Sequence, residues 1–232
     1  MSEMFGQSNE SGNSLMFASI VTGKFASKVK EENKSEAYDG DSFLKANYRL
    51  RKNKMGEEVL EYTFDSLYGK VSRLEFRESN YGEQLNMSIT NDKVGMTVVI
   101  SFNLFNEDGD TLQMAASSLG DQIGLVDFNQ EIELGLRKKD GKVKGVAITQ
   151  NGVYIPSFHD NERFQKHVED RPEATKKETL KGDKWDFSAP SAWQYEQIKA
   201  GVARLASELI SSPTNDDANK TPDKEDSELI PF

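Results

Sequence analysis

Between Leu85 and Phe105 the chain alternates apolar and polar residues with a period of two, in two consecutive runs. Leu85, Met87 and Ile89 are separated by Asn86, Ser88 and Thr90. After Asn91-Asp92, a second run sets Met96, Val98, Ile100, Phe102 and Leu104 against Thr97, Val99, Ser101, Asn103 and Phe105. The pattern predicts two half-buried strands, each turning one face to a core, and assigns Phe102 inward and Phe105 outward. The segment before them, 62–78, is β-branched and aromatic and long for one strand. Gly69 lies inside it, where a bend or bulge is the usual reason for glycine. A strand that bends there can serve two sides of a barrel, and Ser79-Asn80-Tyr81-Gly82 reads as the turn that follows.

Downstream, Asp110 is placed to cap a short helix in which Leu112, Ala115, Ala116, Leu119 and Ile123 recur every three or four residues before Gly124. Ile132, Leu134 and Leu136 then alternate inward, Asp140-Gly141 signals a hairpin, and Val143–Thr149 returns as a further strand. Upstream, the apolar run from Leu15 to Phe25 predicts a strand followed by a loop or hairpin. Tyr48 to Phe64 predicts a hairpin around Asn53–Gly56. Three strands, a helix and two strands is the order of the five-stranded oligonucleotide/oligosaccharide-binding (OB) barrel. The expected fold is therefore mainly β: an OB barrel with extra N-terminal strands, a helix between strands three and four, and a C-terminal helix. A small β-sandwich or another α+β roll remains open on the same string.

Past the barrel, 161–184 is charged and poor in apolar residues, which predicts a surface helix or a linker. Ser191-Ala-Trp-Gln has the form of a capping box, and Tyr195, Ile198, Val202, Leu205 and Leu209 mark one face of a helix after it. That face either docks on the barrel or forms the seam of a homodimer. The expected domains are a disordered, Ser/Gly/Asn-rich stretch at 1–14, the elaborated barrel at 15–210, and a flexible acidic tail at 211–232.

Composition narrows the chemistry. The chain has no cysteine, which removes disulfides and thiolate metal sites and fits a reducing cytoplasm. No apolar run approaches the roughly 18 residues of a membrane helix, so no membrane role is expected. His159 and His167 sit in a polar stretch without a metal-ligand pattern, and no Gly-rich phosphate loop is present. The expectation is a protein with neither catalytic residues nor cofactor.

The net charge of −10 argues at first against nucleic acid, whose phosphates need cations. The tail 211–232 carries four of those negative charges, however, and two basic stretches survive. One holds Lys45, Arg49, Arg51, Lys52 and Lys54; the other holds Arg137, Lys138, Lys139, Lys142 and Lys144. Sequence-tolerant binding of single strands requires aromatic rings on which bases stack, with Lys or Arg beside them for phosphates. In a barrel of this order the ligand crosses strands two and three, bounded by the loops joining strands one and two and strands four and five. The candidate stacking residues are accordingly Tyr68, Tyr81 and Phe105. The candidate phosphate contacts are Lys70, Arg73, Arg77, Arg137, Lys138, Lys139, Lys142 and Lys144.

The last residues, Asp226-Ser227-Glu228-Leu229-Ile230-Pro231-Phe232, join an acidic approach to an apolar end and a free carboxylate. Such a peptide suits a hydrophobic pocket rimmed by Lys or Arg, and Pro231 holds Ile230 extended, which lowers the entropy lost on docking. This end resembles that of bacterial and phage single-stranded DNA-binding proteins, which finish with acids, an aliphatic residue, proline and phenylalanine. Here Lys224, Ser227 and Leu229 interrupt the acids. The resemblance implies a protein that coats single-stranded DNA during replication, recombination and repair, in the host's cytoplasm if the chain is phage-encoded. It also implies that Asp226, Glu228, Leu229, Ile230, Pro231 and Phe232 recruit a partner such as a polymerase, helicase, primase or nuclease. A second reading is an acidic protein-interaction module that binds no DNA.

Overall fold

The computed structural model describes residues 14–21, 23–40, 43–53, 55–80, 82–107, 109–157, 170–179 and 182–211. The chain is mainly β. Ten strands form one mixed sheet: β1 (Ser14–Val21), β2 (Lys24–Lys28), β3 (Tyr48–Lys52), β4 (Glu58–Phe64), β5 (Ser66–Ser79), β6 (Gly82–Asn91), β7 (Met96–Asn103), β8 (Glu131–Lys139), β9 (Lys142–Gln150) and β10 (Val153–Tyr154). Their order is β10-β9-β8-β5-β6-β7-β1-β2-β4-β3. Helix α1 (Met114–Ile123) lies between β7 and β8 in the chain. A separate ribbon, β11 (Thr175–Thr179) with β12 (Gly182–Asp186), precedes helix α2 (Ser188–Ser211).

The alternating strands fold as their patterns require. Leu85, Met87, Ile89, Val98, Ile100 and Phe102 point into one core with Leu119 and Ile123 of α1 and Ile132, Leu134, Val146 and Ile148 of the β8–β9 hairpin. At the tip of that hairpin Asp140 and Gly141 both take positive φ, the conformation that Asp-Gly tolerates at a two-residue turn. Strand β5 serves two neighbours, pairing with β8 over Ser66–Lys70 and with β6 over Lys70–Ser79. Gly69 stands where the partners change over. A Cβ there would lie 2.3 Å from the Thr90 carbonyl oxygen, so no larger residue permits this approach.

Several expectations need correction. The segment 62–78 is not one strand: it breaks at Asp65, and its first residues belong to β4, the second strand of the β3–β4 hairpin. The sheet is not closed into a barrel. Closure leaves no edges, whereas this sheet ends at β10 and β3. The edge of β7 that closure would use is taken by β1, which lies parallel to it with Leu15 opposite Thr97 and Phe17 opposite Val99. The far edge of β9 is taken by β10. The sheet nevertheless curls back: a Cβ on Gly23, in the β1–β2 turn, would come 3.6 Å from the Gly141 carbonyl oxygen.

The helices also start elsewhere than expected. Asp110 does not cap α1, which begins after a bridge between Phe105 and Leu112 and has Gln113 at its N-cap. Ser191 is no capping residue either. Helix α2 begins at Ser188, whose N–H donates to the Asp186 carboxylate, and Pro190 sits in the first turn, where its missing N–H costs nothing. The Ser191 hydroxyl instead accepts from the Leu112 N–H. The apolar face of α2 is buried within the chain from Tyr195 to Leu205, whereas Leu209, expected on the same face, is exposed. Ile198 and Leu205 are in the core, each contributing about 1.5–3 kcal/mol, and Gly120 of α1 lies so close to Gln194 that a Cβ would clash at 2.7 Å. Within the stretch 161–184, expected as helix or linker, Thr175–Thr179 pairs instead with Gly182–Asp186 as the β11–β12 ribbon, whose Gly182 takes positive φ.

Candidate functional site

The outward positions of four adjacent strands, with Phe128, Asn129 and the end of α2, line a groove of about 880 Å³. Directly paired residues project from the same face, so the ladders define rows across it. Lys70, Thr90, Thr97 and Leu15 make one row, and Arg73, Ser88, Val99 and Phe17 the next. Glu75, Asn86, Ser101 and Ser19 follow, then Arg77, Gln84 and Asn103. Each column has its own chemistry. Strand β5 supplies the bases Lys70, Arg73 and Arg77. Strands β6 and β7 supply a floor of hydroxyls and amides with one valine, and β1 supplies Leu15 and Phe17.

The floor is bonded to itself. The Ser72 and Thr90 hydroxyls lie 2.7 Å apart and those of Thr90 and Thr97 2.9 Å apart, while the Ser101 hydroxyl donates to the Asn86 side-chain oxygen over 2.8 Å. Asn86 and Thr97 are buried for that reason without loss, since a buried polar group costs little once it has partners. The walls are different. The Phe17 ring is 52 % exposed. Arg73 pairs with Glu75 at 2.8 Å, and Lys70 and Arg77 form no ion pair among the described residues. Acids also line the groove: Glu75, Asp92 and, from the end of α2, Glu208.

At the Lys70 end of this face stands Tyr68, 51 % exposed. Its hydroxyl donates to Glu131 Oε2 over 2.7 Å, and the Lys93 ammonium, 3.3 Å from the same oxygen, lies 5.6 Å from the centre of the tyrosine ring. The hydrogen bond from Tyr68, and then the nearby charge of Lys93, hold the Glu131 carboxyl below its ordinary range; the same bond raises the Tyr68 phenol.

The structure thus brings Lys70, Arg73, Arg77 and Tyr68 to one face, and leaves the other expected residues elsewhere. Phe105 is not on the outward face of β7. The strand ends at Asn103, and the Phe105 ring packs 5.2 Å from that of Tyr195, half-buried under α2. None of the hairpin bases lines the groove. Arg137 folds inward to donate to the Ser118 hydroxyl, and Lys138 pairs with Asp65 at 3.0 Å. Lys138 and Lys24 together lower the Asp65 carboxyl. Lys139 and Lys142 are exposed at the hairpin tip and Lys144 is half-buried. In the other basic stretch, Arg49 and Arg51 are both spent on the buried Glu61, at 2.8 and 2.7 Å. Tyr81, His159, His167 and the tail residues Asp226, Glu228, Leu229, Ile230, Pro231 and Phe232 lie outside the described residues.

Sequence reasoning missed Phe17, Lys93 and Glu131. For Phe17 the signal was hidden, because the run Leu-Met-Phe-Ala-Ser-Ile-Val is almost wholly apolar. Its alternation appears only in the burial of Met16 and Ala18 beside an exposed Phe17. Comparison with protein-family models, curated proteins and solved structures finds no match for this chain. Among the described residues no helix is long and apolar enough to cross a membrane.

Proposed function

We propose that this protein binds single-stranded DNA with little sequence preference along the groove across β5, β6, β7 and β1, and recruits replication and recombination enzymes through its C-terminal residues. The observation that carries the reading is the row Arg73-Ser88-Val99-Phe17. It sets a cation on one wall and an exposed aromatic ring on the other, with the Ser88 hydroxyl and the Val99 side chain between them. Bases stack on rings of that kind and phosphates pair with cations of that kind, neither of which requires a particular base. The strand connections support an OB origin: β5 pairs with both β6 and β8, β6 with β7, and β8 with β9. On this reading β5 to β9 with α1 are an OB unit whose barrel is opened by β1 and β2, and β1 adds Phe17 to the binding face.

The three acids lining the groove favour a second reading, a protein-interaction module that binds no DNA. A titration separates the two. Labelled oligo(dT) followed by fluorescence anisotropy, with poly(U) and duplex DNA as competitors, should show tight binding at low salt that weakens steeply as salt rises. The label belongs on the DNA, because neither Trp185 nor Trp193 lines the groove. Absence of binding at low salt overturns the first reading and leaves the second.

A further inference from the structure

Beside the groove's Lys70 end, just outside its lining, lies a cluster that its other rows lack. Two donors converge on one oxygen, Glu131 Oε2: the Tyr68 hydroxyl at 2.7 Å and the Lys93 ammonium at 3.3 Å. A second cation, Lys70, is the direct partner of Glu131 in the β5–β8 ladder. The Asn91 side chain fixes the geometry, donating to the Tyr68 carbonyl oxygen and accepting from the Lys93 N–H, so the β6–β7 turn is held against β5. A phenol and an ammonium on one anionic oxygen, with a second ammonium on the neighbouring strand, are donors that suit a phosphate oxygen, and a carboxylate is the protein group nearest to it in charge and acceptor geometry.

We propose that Tyr68, Lys93 and Lys70 form a phosphate-binding subsite at the end of the groove, which the Glu131 carboxylate occupies until a phosphodiester of single-stranded DNA displaces it. The subsite rests on the groove being the DNA site. The lowered Glu131 carboxyl is consistent with it, since the cluster stabilises negative charge. The exchange conserves hydrogen bonds. The ammonium of Lys93, 71 % exposed and free to swing, passes from carboxylate to phosphate. Its departure from over the ring uncovers the Tyr68 face for a base. Glu131 thereby raises the threshold for binding: anions weaker than a polynucleotide do not displace it, and the Tyr68 ring stays covered until a backbone arrives.

The test is oligo(dT) affinity and its salt dependence for Glu131→Gln, Glu133→Gln, Lys93→Ala, Arg73→Ala and the double variant Glu131→Gln/Lys93→Ala, each checked by circular dichroism. Glu133 is the control. It is exposed and sits opposite Tyr68 in the same ladder, yet neither Tyr68 nor Lys93 bonds it. Glu131→Gln should tighten binding about fivefold at low salt, the effect of one charge removed about 4 Å from a phosphate. Glu133→Gln should gain less than half as much, and Lys93→Ala should cancel the gain in the double variant. If Glu131→Gln gains nothing, gains no more than Glu133→Gln, or keeps its gain without Lys93, the subsite is overturned, while wild-type binding that Arg73→Ala weakens leaves the groove reading standing. If the wild type does not bind oligo(dT) at all, the groove reading falls, and the subsite with it.

Discussion

Phe17 and Arg73 stand at opposite ends of one cross-strand row, with Val99 and Ser88 between them. Three ladder spacings separate their backbones, about 14 Å, so the ring and the guanidinium face each other across one hydroxyl and one valine side chain.

Both ends of the row should matter to DNA and little to folding. Phe17→Ala should weaken oligo(dT) binding by about 1–3 kcal/mol, the range for loss of one stacked base. Because the ring is largely exposed, unfolding free energy should change by less than about 0.5 kcal/mol. Arg73→Ala should weaken binding and reduce the log–log salt slope by about 0.7. Anisotropy titrations at several salt concentrations, with urea denaturation beside them, check both.

Glu61 is a structural residue rather than part of a DNA site. Its buried carboxylate is shared by two half-exposed arginines, Arg49 and Arg51. Glu61→Gln should destabilise the protein by about 2–3 kcal/mol, at the lower edge of what breaking a buried pair costs because the arginines can turn to water. Urea midpoints measure this, and oligo(dT) affinity below the melting range should be unchanged.

Tyr195 makes the docking of α2 sensitive to alkali. Burial first, and then its hydrogen bonds to Glu83, push its phenol up to about 12. The unfolded phenol ionises near 10. The neutral form is thus favoured in the folded state: its stabilisation is complete below about pH 10 and is lost as pH rises toward 12. Unfolding free energy should fall by up to about 2 kcal/mol across that window. Tyr195→Phe should flatten the decline, and urea melts from pH 8 to 11.5 would show it. An equally steep fall in the variant would remove Tyr195 as the cause.

Removing residues 224–232 should leave oligo(dT) affinity unchanged or raised, since acids compete with phosphates, and should abolish capture of replication enzymes. Titration and pull-down with purified polymerase, helicase, primase and nuclease test the two halves. Reduced DNA affinity after truncation would contradict the proposed role of the tail.

What the sequence shows of this fold is its local part. The alternation of Leu85–Ile89 and Val98–Phe102, and the Asp140-Gly141 turn, predict antiparallel neighbours because side-chain period and turn chemistry both act within a few residues. The parallel seat of β1 on β7 is not legible that way. A parallel pair needs a long crossover, and nothing near Leu15 names its partner. The misreading of Phe105 has the same origin: strand alternation holds only to Asn103, and Tyr195, far along the chain, covers the ring. The basic column Lys70, Arg73 and Arg77 was visible as residue types. The acids beside it, and the use of Arg49, Arg51 and Arg137 within the fold, become apparent only through tertiary contacts.

The parallel pairing of β1 with β7 joins residues some eighty positions apart. Such contacts close late and slow folding, because the chain between them must be ordered first. During synthesis Phe17 leaves the ribosome long before Val99, the residue it will sit beside. Until then β1 is an apolar strand with an unpaired edge, open to pairing with another chain. The wall that completes the groove is therefore also a segment open to misassembly while the protein is being made.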